Sequence, residues 1–204
     1  ILVEGEDDRA AILGVAKAQG RAGWVRSFST NTKAFPHNGT PRCFDTVLVS
    51  KAKKPFVGEL RNPSVRLHNN HLLGSLHALK LSILANDSGV TEPFEPDATP
   101  LGLLLYYDSS NTESRFNNLT VKEICKLADT ALTYCGKFSP DYYSELDQTI
   151  SNIINMFSGT IEVSSMRPMK VTGTKTLDEV SFLRANPSAL PNVPRRESDV
   201  AVEN

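Results

Sequence analysis

Hydrophobic positions along this chain follow two spacings, one helical and one strand-like. Apolar residues recur at helical spacing in three stretches, which predicts three amphipathic helices at 68–87, 119–136 and 139–159. Ser139 followed by Pro140 suits an N-cap and the first helical position. Shorter runs rich in β-branched and aromatic residues predict strands at 24–30, 43–50 and 54–62. The last two runs predict an antiparallel hairpin.

Four further segments have patterns of their own. Residues 1–20 have helix-forming composition with acids near the start and Gly20 at the end, which predicts a helix, although the first four residues also suit a short strand. The continuous apolar run 101–108 is typical of a strand buried on both faces. Residues 160–173 predict another strand, and the proline-rich end predicts a flexible or partner-wrapped tail.

The predicted order is therefore helix, three strands, helix and strand, which indicates an α/β fold. We expect an α/β core at 1–110, further helices and a strand packed on it at 111–186, and a tail at 187–204. The tail and the later helices are the candidate surface for a protein partner. The chain begins at Ile1 without a methionine, so we expect it to be a fragment or a processed product.

Composition narrows the setting. The chain of 204 residues has 40% hydrophobic and 22% charged residues, as an ordinary globular protein does. It contains no apolar run long enough for a membrane span and no signal peptide, so we expect no membrane association. Three cysteines are too few for a disulfide framework or a zinc cluster, and we interpret them as buried hydrophobic residues. These features favour an intracellular protein of the nucleus or cytoplasm.

Charge is distributed unevenly. Residues 21–80 carry ten Lys or Arg and two acids, a charge of +8 in a chain whose net charge is −1. The two acids, Asp45 and Glu59, fall in adjacent strand-like runs. Two isolated carboxylates in a basic field are what a metal site that cuts phosphodiesters requires, because Mg²⁺ binds one or two carboxylates together with waters and phosphate oxygens. A basic surface with two structural acids would have the same pattern.

The element order and the motif at Asp45 and Glu59-Leu60-Arg61 resemble the PD-(D/E)XK restriction-endonuclease-like superfamily over residues 1–110. The resemblance implies an αβββαβ core with a mixed central sheet flanked by helices. It also implies that Asp45 and Glu59 bind Mg²⁺ or Mn²⁺, and that Glu6 from the first helix adds a ligand. The protein would then be a metal-dependent nuclease acting on DNA or RNA.

One position departs from the family pattern. The family normally has lysine where this chain has Arg61, and arginine stays protonated, so Arg61 can clamp a phosphate but cannot act as a base. Lys80 on the following helix, or Lys54, are the candidate substitutes. Basic and histidine side chains around the motif are the expected nucleic-acid contacts: Lys51, Lys53, Lys54, Arg66, His68 and His71.

Three alternatives stay open. The protein is alternatively a catalytically inactive nuclease-like module that binds nucleic acid or a protein partner within a larger assembly. It is alternatively a structural component whose charge segregation serves assembly. The opening 1–8 also resembles a Toprim domain, in which Glu4 would join a later strand-ending acid, Asp108, at Mg²⁺; the second aspartate of that motif is missing here.

Overall fold

The protein has a mixed α/β architecture with three α-helices and three small sheets in the part of the chain that the structure describes. A computed structural model describes residues 10–18, 22–28, 39–44, 57–62, 69–89, 91, 99–156, 162–163, 171–172 and 177–189. The strands are β1 (Ala10–Leu13), β2 (Gly23–Phe28), β3 (Gly58–Arg61), β4 (Leu105–Tyr106), β5 (Glu162–Val163), β6 (Val171–Thr172) and β7 (Leu183–Arg184). The helices are α1 (His71–Asp87), α2 (Val121–Thr133) and α3 (Pro140–Asn155).

The largest sheet has the order β1-β2-β3. Strand β1 pairs antiparallel with β2, whereas β3 pairs with β2 in parallel. Side chains alternate across a strand and paired residues share a face. One face therefore carries Leu13, Val25 and Leu60, which contact the hydrophobic core. The opposite face, here called the outer face, carries Arg26, Glu59 and Arg61 together with the buried Ile12 and the partly buried Trp24.

Each helix begins at a residue that satisfies its exposed amide groups. The Asn70 side chain accepts from the amide of Leu73 at the start of α1. Thr120 and Glu123 form a capping box at the start of α2. Ser139 caps α3, with Pro140 at its first helical position, as the sequence predicts. All three predicted helices are thus present, with slightly shorter bounds than the sequence patterns indicate.

The core lies where the three helices meet the sheet. It extends from Leu13 in β1 to Leu183 in β7, so segments on both sides of residue 110 contribute to one hydrophobic cluster. Tyr143 of α3 also donates a buried hydrogen bond of 2.7 Å to the carbonyl of Ala131 in α2. This packing fixes the helices to one another and to the inner face of the sheet.

Two predictions from the hydrophobic pattern are wrong. Residues 10–13, predicted as part of a helix, form strand β1, because Ile12 and Leu13 add to a sheet that buries them. The run 101–108, predicted as one strand buried on both faces, forms a 3₁₀ turn at Leu101–Leu103 and the two-residue strand β4. Strand β4 pairs with β7, away from the three-stranded sheet. An apolar run alone does not distinguish a strand from a buried turn.

Other predictions are met in part. Strands β2 and β3 lie within the predicted runs 24–30 and 54–62, and 160–173 contains the short antiparallel pair β5 and β6. The predicted hairpin partner of β3 falls mostly at 45–50, outside the described residues, and the partner that is described is β2 in parallel. Most of the tail predicted at 187–204 also lies outside them.

The cysteine interpretation needs correction. Cys43 and Cys135 form a disulfide, and Cys125 alone is a free, buried thiol as expected. Sequence reasoning missed the bond because the two residues are separated by 92 positions. Because a disulfide is present, cysteine usage no longer supports a reducing compartment. An intracellular location stays a prediction. None of the described helices is long and apolar enough to cross a membrane.

Candidate functional site

Three charged side chains form a cluster on the outer face of the sheet, here called the sheet-face cluster: Arg26 of β2 with Glu59 and Arg61 of β3. The strand register brings them together, because Arg26 pairs with Arg61 and Glu59 lies two positions before Arg61. Both arginine Nε atoms donate to the same carboxylate oxygen, Glu59 Oε1, at 2.8 Å. Arg61 is 69% exposed, whereas Arg26 and Glu59 are 16% and 22% exposed. The cluster carries a net charge of +1 beside solvent.

Two polar groups at the sheet-face cluster have no hydrogen-bond partner among the described residues. The ion pairs of Glu59 use Oε1, which leaves Oε2 as an acceptor. The residue paired with Glu59 across the strands is Trp24, whose buried indole N–H also lacks a partner. A buried donor without a partner costs free energy, so it marks a position where a ligand atom would be stabilising.

The segment that leads to Asp45 reaches the same end of the sheet. The backbone amide of Phe44 donates to the carbonyl of Leu132, in the last turn of α2, at 2.9 Å. A Cβ on Gly14 would lie 3.0 Å from the Phe44 ring and 3.4 Å from the Cα of Trp24, the strand partner of Glu59. Phe44 therefore lies against the end of β1, which β2 separates from the strand that carries Glu59.

Lys80 belongs to a different cluster. Its Nζ donates to Asp129 Oδ2 at 2.6 Å and to the carbonyl of Ile12 at 2.9 Å. Asp129 Oδ1 accepts from the amide of Gly14 at 2.8 Å. We call Lys80 and Asp129 the closed pair, because every carboxylate oxygen of Asp129 has a donor. The pair lies against β1, and β2 separates β1 from the strand that carries Glu59, a spacing of about 10 Å for two strands.

His71, at the first position of α1, lies at a third polar contact. Its Nδ1 is 2.7 Å from Asp147 Oδ1 of α3 and 3.3 Å from the hydroxyl of Ser75. Its backbone amide donates to the carbonyl of Gly39 at 3.0 Å. The side chain is one-third exposed, so the contact both joins two helices and leaves imidazole surface at solvent.

The remaining predicted site residues lie outside the described residues: Glu6, Asp45, Lys51, Lys53, Lys54, Arg66 and His68. Asp108, the strand-ending acid of the Toprim alternative, is described. Its Oδ1 accepts from the backbone amide and hydroxyl of Ser110 at 2.9 and 2.6 Å. Asp108 therefore organises a tight turn of its own chain.

The described residues fit a divalent metal in part. They contain no group of three or more His, Cys, Asp or Glu side chains placed to hold an ion. Glu59 can offer one oxygen, since Oε2 is left over when Oε1 binds both arginines. Hydrogen bonds that hold the second oxygen of a metal-binding carboxylate are a normal feature of metal sites. A complete site would need Asp45 as its second carboxylate.

Sequence reasoning found Glu59 and Arg61 but missed their neighbours Arg26 and Trp24. It also missed Asp129 and Asp147, the partners of Lys80 and His71. Alternation within β2 was the available signal for Arg26 and Trp24, since both fall on the face opposite Val25. Which strand lies beside β3 was not visible in the sequence. Asp129 and Asp147 depend on helix packing, which the helical pattern alone does not specify.

Comparisons with family models, with curated proteins and with solved structures returned no match to this chain. The functional interpretation therefore depends on the geometry of the described residues and on the short motif.

Proposed function

We propose that the outer face of the sheet binds the phosphate backbone of DNA or RNA and that Glu59, together with Asp45, holds a divalent metal ion that promotes cleavage of the backbone. The observation that carries this proposal is the sheet-face cluster. A carboxylate is held between two arginines by one oxygen while its other oxygen has no partner among the described residues.

Each member of the cluster has a separate role in this proposal. Arg26 of β2 fixes the Glu59 carboxylate of β3, because the Arg26 side chain is only 16% exposed and has little freedom to leave it. Arg61 is exposed and can rotate towards a phosphate, for which its guanidinium offers paired donors. A bound Mg²⁺ or Mn²⁺ would polarise the phosphate and lower the pKa of a coordinated water.

The surroundings favour phosphate binding. The region 21–80 has a charge of +8, and cationic side chains that neutralise phosphates release bound counterions. Binding should therefore weaken steeply as salt rises. The parallel pairing of β2 and β3 places both arginines at one edge of the face, where an extended backbone can cross them. Strand β1 in place of a first helix, and the pairing of β4 with β7 away from this sheet, differ from the αβββαβ core expected from the motif, so the proposal depends on the sheet-face cluster.

A second candidate function is binding without cleavage. The observation that favours it is the closed pair, which holds Lys80 against β1 and away from Glu59. Arg61 cannot accept a proton from water. If no other lysine reaches the cluster, the protein is a nuclease-like module that binds nucleic acid, and the retained Glu59 is a structural partner of Arg26.

One experiment separates the two. Labelled single-stranded and double-stranded DNA and RNA are incubated with the wild type, with Glu59→Gln and with Asp45→Ala/Glu59→Ala, in Mg²⁺, Mn²⁺ or EDTA. The first proposal expects metal-dependent cleavage that falls at least about a hundredfold in both variants. Glu59→Gln should keep or increase binding in EDTA, because it removes a negative charge beside phosphate.

Arg115 provides a matched control for Arg61. It is also an exposed arginine whose Nε binds a glutamate at 2.8 Å, here Glu145. Arg61→Ala should weaken binding several-fold and Arg115→Ala should not. Binding without cleavage in either metal would favour the second candidate, and equal effects of the two arginine variants would contradict both.

A further inference from the structure

The disulfide lies at a junction that connects α2 to the sheet. We call this the α2 junction and define it by Gly14, Gly23, Phe44, Leu132 and Thr133. The Thr133 hydroxyl accepts from the amide of Val15 at 2.8 Å and donates to the carbonyl of Gly23 at 3.1 Å. Phe44 donates to Leu132 at 2.9 Å, and the disulfide joins the adjacent Cys43 to Cys135. The bond thus fixes the segment before Asp45 to the end of α2.

The α2 junction contacts the strand that supports the sheet-face cluster. Gly14 has a φ of +90°, and a Cβ there would lie 2.7 Å from the Thr133 hydroxyl and 3.0 Å from the Phe44 ring. The same position is 3.4 Å from the Cα of Trp24, which pairs with Glu59. Gly14 thus lies against both Phe44 and Trp24, and Thr133 bonds to the carbonyl of Gly23 in β2, so movement of Phe44 would disturb β2 beside Trp24 through these neighbours.

Cys43 and Cys135 differ in exposure, so a reagent can reach their disulfide from the Cys135 side. Cys43 is buried, whereas Cys135 is only partly buried. The thiolate of a small dithiol can attack Cys135 Sγ, which breaks the sulfur–sulfur bond and releases Cys43 as a thiolate that takes a proton from water. The second thiol of the reagent then attacks the mixed disulfide and releases Cys135. The protein gains two thiols and the dithiol is oxidised to its own disulfide.

The third cysteine does not interfere with this exchange. Cys125 lies in the core, where burial raises the pKa of its thiol to about 12. A thiol is a poor nucleophile when so little of it is ionised. Cys125 therefore does not compete for Cys43 or Cys135, and the bond can open and close between the same two residues.

We propose that the Cys43–Cys135 disulfide is a redox-sensitive lock: it holds the α2 junction against the sheet, and its reduction by a dithiol weakens binding of the phosphate backbone at the sheet-face cluster. This inference rests on the proposed function, because binding is its functional readout. The lock itself has an independent readout in the backbone amides of the junction.

The test compares oxidised and reduced wild-type protein. Affinity for labelled DNA and RNA in EDTA is measured beside hydrogen exchange at three junction amides, those of Gly14, Val15 and Phe44. The remote amide of Tyr106, bonded to the carbonyl of Leu119 at 2.9 Å, is the reference. Thiol titration in denaturant should rise from one to three groups on reduction, since the chain has three cysteines.

We expect reduction to weaken binding at least about fivefold and to accelerate exchange at the junction amides, with Tyr106 unchanged. Cys43→Ser/Cys135→Ser should behave as the reduced wild type and should not respond to the dithiol, which controls for direct effects of the reagent. Cys125→Ala should keep the full response. If the double variant does not fold, the test uses reduced and oxidised wild-type protein alone.

Equal binding and equal exchange in the two redox states, with three thiols titrated after reduction, would overturn the lock. Loss of protection at Tyr106 as well would overturn it too, because reduction would then unfold the whole protein. Faster junction exchange with no nucleic-acid binding in either state would support the lock and refute the proposed function.

Discussion

Asp129 and Glu59 are carboxylates of similar burial in opposite situations. Their side chains are 15% and 22% exposed. Both oxygens of Asp129 are occupied, one by Lys80 and the other by the amide of Gly14. In Glu59, two arginines bind one oxygen and the second has no hydrogen bond among the described residues. Burial therefore does not distinguish these two carboxylates, whereas the occupancy of their oxygens does.

The difference follows from what surrounds each group. The closed pair lies between α1, α2 and β1, so the folded chain itself supplies a cation and an amide. Glu59 lies on the outer face of the sheet, where Arg26 of β2 and Arg61 of β3 contact it. A group enclosed by its own chain contributes to stability, and a group with an unused acceptor can bind something else.

The largest expected effect is on stability at the closed pair. Asp129→Ala should lower the free energy of unfolding by about 3 kcal/mol, because it leaves the Lys80 ammonium with little solvent and without its counter-ion. Glu59→Ala should cost less, about 2 kcal/mol, because it leaves the 16% exposed Arg26 without its carboxylate but deprives no backbone amide of its acceptor. Urea unfolding of the two variants checks this. Equal losses would break the distinction drawn from the occupancy of the oxygens.

Cys125 should report whether the closed pair has opened. Its pKa of about 12, against the ordinary value of 9.0, lowers the thiolate fraction about a thousandfold at neutral pH. In the native wild type, with the disulfide intact, we expect almost no alkylation by iodoacetamide. Asp129→Ala should raise the alkylation rate because Cys125 lies near both Lys80 and Asp129. Mass spectrometry of the alkylated chain is the measurement, and Glu59→Ala is the control that should stay unreactive.

Asp147 tests a carboxylate whose loss should lower the free energy of unfolding less than the loss of Asp129 does. Its side chain is 15% exposed and binds His71 across α1 and α3. Asp147→Ala should lower the free energy of unfolding by roughly 1 to 2 kcal/mol, as expected for loss of one hydrogen bond to a charged group. Asp141, an exposed acid in the first turn of the same helix, is the matched control. A larger loss than in Asp129→Ala would show that helix contacts outweigh the closed pair.

Glu123 tests an exposed carboxylate that, like Glu59, uses one oxygen for both of its hydrogen bonds. Its Oε2 accepts from the amide and the hydroxyl of Thr120, both at 2.8 Å, and the Thr120 backbone hydrogen bond lowers the pKa of Glu123 below 4.5. The stabilising contribution is therefore complete above pH 4.5 and is lost as the pH falls through the lowered pKa. Glu123→Ala should cost about 0.5 kcal/mol at pH 7.

Denaturant unfolding at pH 7 and at pH 3 measures that contribution. The difference between wild type and Glu123→Ala should shrink at the lower pH. The exposed Glu113 is the control, and Glu113→Ala should have no effect at either pH. A constant difference across this range would mean that the hydrogen bonds to Thr120 do not depend on the charge.

The parts of the fold that the sequence predicts correctly are those determined by neighbouring residues in the chain. The three helices were predictable because their spacing and the caps at Ser139 and Thr120 are local features. Strand β1 was not, since Ala10–Leu13 has helix-forming composition and becomes a strand by pairing with β2. The 101–108 run failed for a related reason, because apolar content does not specify backbone geometry.

The candidate site divides in the same way. Glu59 and Arg61 were predictable from charge contrast within one run of sequence. Arg26 required knowledge of the strand partner, and the separation of Lys80 from Glu59 required knowledge of which strand α1 contacts. The roles of Asp45 and Glu6 stay predictions, because both lie outside the described residues.

The parallel pairing of β2 with β3 has a consequence for how the molecule folds. A parallel pair cannot close through a tight turn, and here 29 residues, 29–57, separate the strands. Helices α2 and α3 are close in sequence and can meet early, whereas β3 can pair with β2 only after the ends of a 29-residue connection come together. In refolding we therefore expect helical circular dichroism to recover before affinity for nucleic acid. The face that we propose to bind nucleic acid would be the last part of the protein to form.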